Sequence, residues 1–205
     1  PRRSRALSIR KQSALIFVAS LAQLVFGIAT GALTAQILLP TGKGIAILAF
    51  YVPNMMASLG SLSFGEASTY FLGRGMAAGR VIGTTIIEAV GLGILYAGLS
   101  IFLFLGPFKS VVHDVPVALV LLGLSTLPLM LLKNYGDSVL TGQNRVKAFI
   151  VGNLALHVLR GVFTFVALLV LKLGVAGAVA AEFITWVLVG GWYAVAMTRG
   201  VPVQW

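Results

Sequence analysis

The chain has 205 residues, 59% of them hydrophobic and 10% charged, with a mean hydropathy of +1.01 and no cysteine. A soluble domain keeps about a quarter of its residues charged, so that class is excluded, as are disulfides and thiolate-held metals. A net charge of +10 would suggest nucleic acid as partner for a soluble protein, but here the basic residues stand at the ends of apolar runs, where they set membrane orientation.

Residues 1–13 carry Arg2, Arg3, Arg5, Arg10 and Lys11. The apolar run behind them is too long for a signal peptide, so they read as a cytosolic anchor. Six apolar runs follow, at about 14–39, 45–72, 81–105, 115–140, 147–171 and 174–197. Each is long enough to cross roughly 30 Å of hydrocarbon as a helix. Residues 198–205 read as the start of a cytosolic connection. The ten-residue alternating segments of a membrane β-barrel are absent. The fold class expected is therefore all-α: a polytopic membrane protein built as a six-helix bundle. The connections PTGKG, GRGMAAGR, GPFKSVVHD, TGQNRV and KLG are short enough to make successive spans antiparallel. Pro128 predicts a kink in the fourth span.

Charge sets the orientation. Arg74, Arg80, Arg145, Lys147 and Arg199 fall on the side of the basic tail, and Lys43, Lys109 and Lys172 on the other. Both termini are thus expected in the cytosol. A first residue of Pro1 rather than methionine favours an excerpt of a longer protein.

The spans carry polar residues at helical spacing. Gln23, Gly27, Thr30 and Thr34 share one face of the first, and Asn153, His157, Arg160 and Thr164 one face of the fifth. Glu182, Trp186 and Tyr193 do so in the sixth, and Thr84, Glu88 and Gly91 in the third. Stripes of this kind predict a bundle around a wet cavity, although small and hydroxyl residues such as Ser58, Ser61, Gly65 and Ser68 also serve close helix packing. Packing does not account for Arg160, Glu182, Glu66 and Glu88, since an ionisable group at such depth costs on the order of 3 kcal/mol and marks a pathway or a pair. Reflection about the second loop puts Glu66 and Glu88 at one level, near Lys133 and Asn153, where they would share a proton, a cation or the lysine. Arg160 and Glu182 lie within about one turn of each other across KLG, as a structural salt bridge or a functional pair. His157 alone reads as a packed histidine.

No catalytic constellation stands out. HExxH and Walker sequences are missing, Gly123-Leu124-Ser125 is not a full serine elbow, and Asp114 and Asp137 fall near opposite membrane faces. Neither an enzyme nor a cofactor is expected.

The stretches LLPTGKGIAILAFYVPNMMASLGSLSFGEASTYFLGRG, VLTGQNRVKAFIVGNLALHVLRG and LGVAGAVAAEFITWVLVGGWYA, in this order, resemble the amino-terminal lobe of polysaccharide flippases. These belong to the multidrug/oligosaccharidyl-lipid/polysaccharide exporter (MOP) superfamily. The family's proline-glycine-glycine turn is matched by Pro40, Gly42 and Gly44, and its leucine-glycine-arginine…asparagine pattern by Leu140, Gly142, Arg145 and Asn153. Leu39 departs from it, standing where a glycine often precedes the proline.

The resemblance implies one lobe of a two-lobe transporter, working by alternating access in a bacterial or archaeal cytoplasmic membrane. Its partners would be membrane lipids, a lipid-linked glycan, H+ or Na+, and a second six-helix lobe supplied by the same chain or a paired subunit. Arg160, Asn153, His157, Gln23 and Thr30 become substrate-cavity candidates, with Arg160 meeting phosphate oxygens. Glu66, Glu88, Lys133 and Glu182 become coupling candidates. A multidrug/cation antiporter of the same superfamily and a non-transport subunit of a polysaccharide assembly complex are the alternatives.

Overall fold

A computed structural model of the chain describes residues 9–61, 64–111 and 114–203. Arg2, Arg3 and Arg5, the side chains of Arg10 and Lys11, and the last two residues lie outside the described set. Among the described residues the regular structure is helical: α1 (Ile9–Gly60), α2 (Phe64–Gly73), α3 (Ala78–Leu105), α4 (Val117–Leu124), α5 (Leu127–Gly142), α6 (Val146–Phe165) and α7 (Gly174–Thr198). Among the described residues five stretches are long and apolar enough to cross a membrane, and the first, Ala14–Gly60, has 47 residues. At about 1.5 Å per residue that length serves two crossings.

The sequence predicted a loop at PTGKG, and the structure replaces it with a reversal at one residue. Leu39 has φ 57° and ψ 173°, while helix runs on both sides of it. The chain turns back there. Lys43 Nζ donates to the carbonyl of Gly31 at 3.2 Å, and Phe50 faces the same cavity as Gly27, neither of which a straight helix allows. Pro40, which has no N–H to lose, follows the reversal. A non-glycine residue in this region of φ/ψ space costs of order 1–3 kcal/mol, and Leu39 is 65% exposed, so its side chain repays little of that. Leu39→Gly is therefore expected to stabilise the protein by about 1 kcal/mol, read as a rise in thermal midpoint of the purified protein. A fall would show that the leucine holds the turn by packing.

A second difference concerns the predicted span 45–72, which is not one helix. α1 ends at Gly60, and α2 starts at Phe64. Ser58 and Ser61 hydroxyls bond back to the carbonyls of Asn54 and Ser58, at 2.8 Å each, a habit that bends helices. Tyr135 donates its hydroxyl to the carbonyl of Gly60 at 2.7 Å. The end of the helix is thus held by a partner on α5. The predicted span 115–140 matches one membrane-length stretch, Val117–Gly142. It breaks near Pro128 as expected: Ser125 and Thr126 separate α4 from α5, and Pro128 sits in the first turn of α5, where its missing N–H costs nothing.

α5 is the core of the bundle. Leu127, Met130, Leu131, Tyr135, Val139 and Leu140 are all buried, between α2 and α3 on one side and α7 on the other. Without a hydrophobic drive between lipid-bathed helices, close packing and hydrogen bonds hold such a bundle. Gly123 shows how close: a Cβ there would lie 2.1 Å from the backbone oxygen of Ala49. The first arm of α1 differs, turning Phe17, Val18, Val25 and Ile28 outward and leaning on α6 through its polar face.

Candidate functional site

The polar stripes of α1 and α6 face each other. Thr30, Thr34, Arg160 and Thr164 line one cavity of about 320 Å³ with Lys43 and Glu182. Gly27 belongs both to this cavity and to an adjoining groove that holds Gln23 and His157. All the predicted substrate-cavity residues except Asn153 therefore lie along one continuous seam.

Arg160 and Glu182 form an ion pair, Nη2 donating to Oε1 at 2.5 Å. Trp186 Nε1 donates to the same carboxylate oxygen at 3.0 Å, which leaves Glu182 fixed from two directions. The Arg160 side chain remains 30% exposed, and its buried Nε has no partner among the described residues. Lys43, assigned by charge pattern to the outer loop, reaches back into the membrane from the far side of the Leu39 reversal. Long basic side chains do this readily, because the stem is apolar. The cavity wall thus carries two cations and one carboxylate, and the carboxylate is already bonded to one of the cations.

A second polar node joins three helices about two turns from Arg160 along α6. Asp137 Oδ2 accepts from Lys133 Nζ at 2.6 Å. Its Oδ1 accepts from Asn153 Nδ2 at 2.9 Å and from the hydroxyl of the fully buried Tyr193. Asn153 Nδ2 also donates to the Tyr193 oxygen at 3.2 Å. Asp137 is not among the expected site residues, because its position in the span sets it near a membrane face. The signal for it was the Lys-x-x-x-Asp spacing, which sets the two side chains on one helical face.

Three expectations are corrected here. Lys133 pairs with Asp137, not with Glu66 or Glu88. Glu66 and Glu88 do not share a site, although their depths match. Gly65 packs on Ser138 of α5 and Ser68 meets Thr85 of α3 at 3.3 Å; this directs Glu66 away from α3, onto an exposed flank. Glu88 lies instead in a pocket between α2 and α3 with Thr84, Phe64, Phe71 and Arg80. Asn153 belongs to the Asp137 node rather than to the cavity wall.

No protein-family model matches the sequence, and no curated protein does. Solved structures do. An outward-facing multidrug resistance MATE family transporter of the MOP superfamily superposes with a TM-score of 0.74 at 18% identity, covering 96% of this chain and 46% of its own. The fold is that of one half of a MATE transporter. A MOP superfamily transporter from Pyrococcus furiosus, described as having a binding pocket of reverse polarity that suggests a different function, gives 0.72 at 19% identity, with the same two coverages of 96% and 46%. A MATE protein in complex with Br-NRF gives 0.70 at 18%, covering 96% of this chain and 48% of that one. The chain thus spans about half the length of the structures it matches.

Proposed function

We propose that the chain is one lobe of a membrane transporter that moves a lipid-linked oligosaccharide across a bacterial or archaeal cytoplasmic membrane by alternating access. The observation that carries this reading is the cavity wall. Lys43 and Arg160 line one space, and Glu182, the carboxylate there, is already paired. A pyrophosphate entering it would find free N–H donors on both cations, whereas a cationic substrate would meet net positive charge. Thr30, Thr34, Gln23 and His157 supply uncharged hydrogen-bonding groups along the same seam, suited to sugar hydroxyls. A second lobe would close the other side of the cavity. Glu88, which accepts no hydrogen bond among the described residues, is the carboxylate best suited to coupling by H+ or Na+.

The competing reading is a multidrug/cation antiporter, favoured by the multidrug resistance transporter among the structural neighbours. Pocket polarity separates the two. With the protein reconstituted in vesicles, Lys43→Gln is expected to lower translocation of a fluorescent lipid-pyrophosphate oligosaccharide about tenfold, the loss of one charged hydrogen bond. Unchanged glycan translocation, together with efflux of an organic cation, would transfer the assignment to the antiporter.

A further inference from the structure

The basic end of the lobe holds a pocket of about 380 Å³ that belongs neither to the cavity nor to the Asp137 node. It lies where the end of α2, the α5–α6 turn and the end of α7 meet. Leu72, Met76 and Val201 form an apolar wall, and Gln143, Arg145 and Arg199 supply the polar groups, with no carboxylate in the lining. Arg145 is fixed: its Nη1 donates to the carbonyl of Ala196 at 2.5 Å and to Gln143 Oε1 at 3.3 Å. The second bond also settles which way the Gln143 amide points, because its oxygen must face the guanidinium. Gln143 Nε2 is then left buried and without an acceptor among the described residues. A buried donor left without an acceptor is destabilising. Arg199 is exposed beside it and makes no side-chain bond among the described residues.

One orphaned amide N–H and the unbonded Arg199 guanidinium around a single space, beside the fixed Arg145, define what is missing: an acceptor. We propose that this pocket binds a phosphate group, whose oxygens accept from Gln143 Nε2 and Arg199 while Arg145 adds positive charge from its fixed position. The charge asymmetry of the chain puts the pocket at the level of the inner-leaflet headgroups. Its apolar wall suits the glycerol and first methylenes of a phospholipid; a free phosphate offers the same oxygens without them. The site is independent of the transported substrate and of the cavity that receives it.

The test is thermal unfolding of the purified protein in detergent micelles doped with phosphatidylglycerol, micelles doped with diacylglycerol, and micelles supplied with inorganic phosphate. Phosphatidylglycerol is expected to raise Tm. Arg199→Gln and Gln143→Leu should each weaken the apparent affinity about tenfold, while Arg80→Gln, on the same face but outside the pocket, should leave it unchanged. Stabilisation by inorganic phosphate with the same dependence on Arg199 and Gln143 would support the site and identify the free anion as sufficient. An equal effect of diacylglycerol, an equal loss in Arg80→Gln, or no shift with either phosphate source would overturn the proposal. Gln143→Leu also removes the orphan, so a variant more stable than the parent without lipid, yet about tenfold weaker in its response to lipid, is the expected pattern.

Discussion

Asp137→Ala is expected to destabilise the protein by about 3–5 kcal/mol, more than any other single change at the candidate site. The carboxylate accepts from Lys133, Asn153 and Tyr193, so its removal strands an ammonium and two polar groups between α5, α6 and α7. The ammonium dominates, because Lys133 is only 12% exposed and retains no other anionic partner among the described residues. Removing both charges should cost less than removing one. The double variant Asp137→Leu with Lys133→Met is therefore expected to recover a large part of the loss, since an apolar pair fits this environment. The measurement is a double-mutant cycle by thermal unfolding in detergent, with Asp137→Asn as the conservative arm that keeps an acceptor for Tyr193. Additive losses would mean that Lys133 and Asp137 contribute separately, and the node would then not be the clasp its geometry describes.

The clasp matters because Asn153 is also the first residue of the stripe that leads through His157 to Arg160. A shift of α6 at the clasp would be carried along a rigid helix to the cavity wall. Loss of transport in Asp137 variants is therefore no evidence that the carboxylate handles an ion or a proton. Recovery of transport in the double variant would separate the two roles, since it lacks the carboxylate but keeps the helices together.

Much of this arrangement was legible in the sequence, for a specific reason. Helical periodicity fixes which residues of one helix share a face, and a short connection fixes which levels of two helices meet. Both conditions hold for Arg160 and Glu182 across the three-residue KLG, and the pair forms as the spacing predicts. For Glu66 and Glu88 only the second holds. Their levels match, but the face of α2 is set by Gly65 and Ser68 packing on α5 and α3, contacts that lie outside any local pattern. Depth without azimuth gave a false pair.

Lys43 fails in the opposite direction. Its place in PTGKG reads as an outer loop, because proline and two glycines normally mark one. Here the reversal is taken by Leu39 alone, and Gly42 serves instead to let Val175 approach, at 3.1 Å from where a Cβ would stand. Freed from the loop, Lys43 turns inward and supplies the second cation of the cavity. No local rule assigns a left-handed conformation to an exposed leucine, since the cost is offset by the packing of two whole helices. The break between α1 and α2 was hidden for a related reason. It depends on Tyr135, 75 residues away from the carbonyl it caps.

If the lobe transports as proposed, Glu182→Gln and Arg160→Gln are expected to move transport in opposite directions, and the sign identifies the substrate. Glutamine at 182 keeps an oxygen for Arg160 and Trp186 while removing the cavity's negative charge. Lys43 and Arg160 then face the substrate uncompensated. For a phosphate-bearing glycan this variant should lower KM, with kcat falling if release becomes slow. Arg160→Gln should lower kcat/KM by about 10–100-fold, the worth of one or two charged hydrogen bonds. For an organic cation the signs reverse: Glu182→Gln removes the counter-charge and abolishes uptake into the cavity, while Arg160→Gln relieves repulsion. Glu182→Gln keeps the length of the side chain, whereas Arg160→Gln is shorter and leaves the Glu182 carboxylate without its cation, so transport is compared per correctly inserted protein, with thermal stability of each variant as the control. Losses of the same size for both substrates in both variants would mean that the Arg160–Glu182 bond is a brace between α6 and α7 and that neither charge is presented to what is carried. The exposure of Arg160, twice that of Glu182 at 30% against 15%, favours the first outcome, because the more accessible partner of a fixed pair is the one a substrate meets.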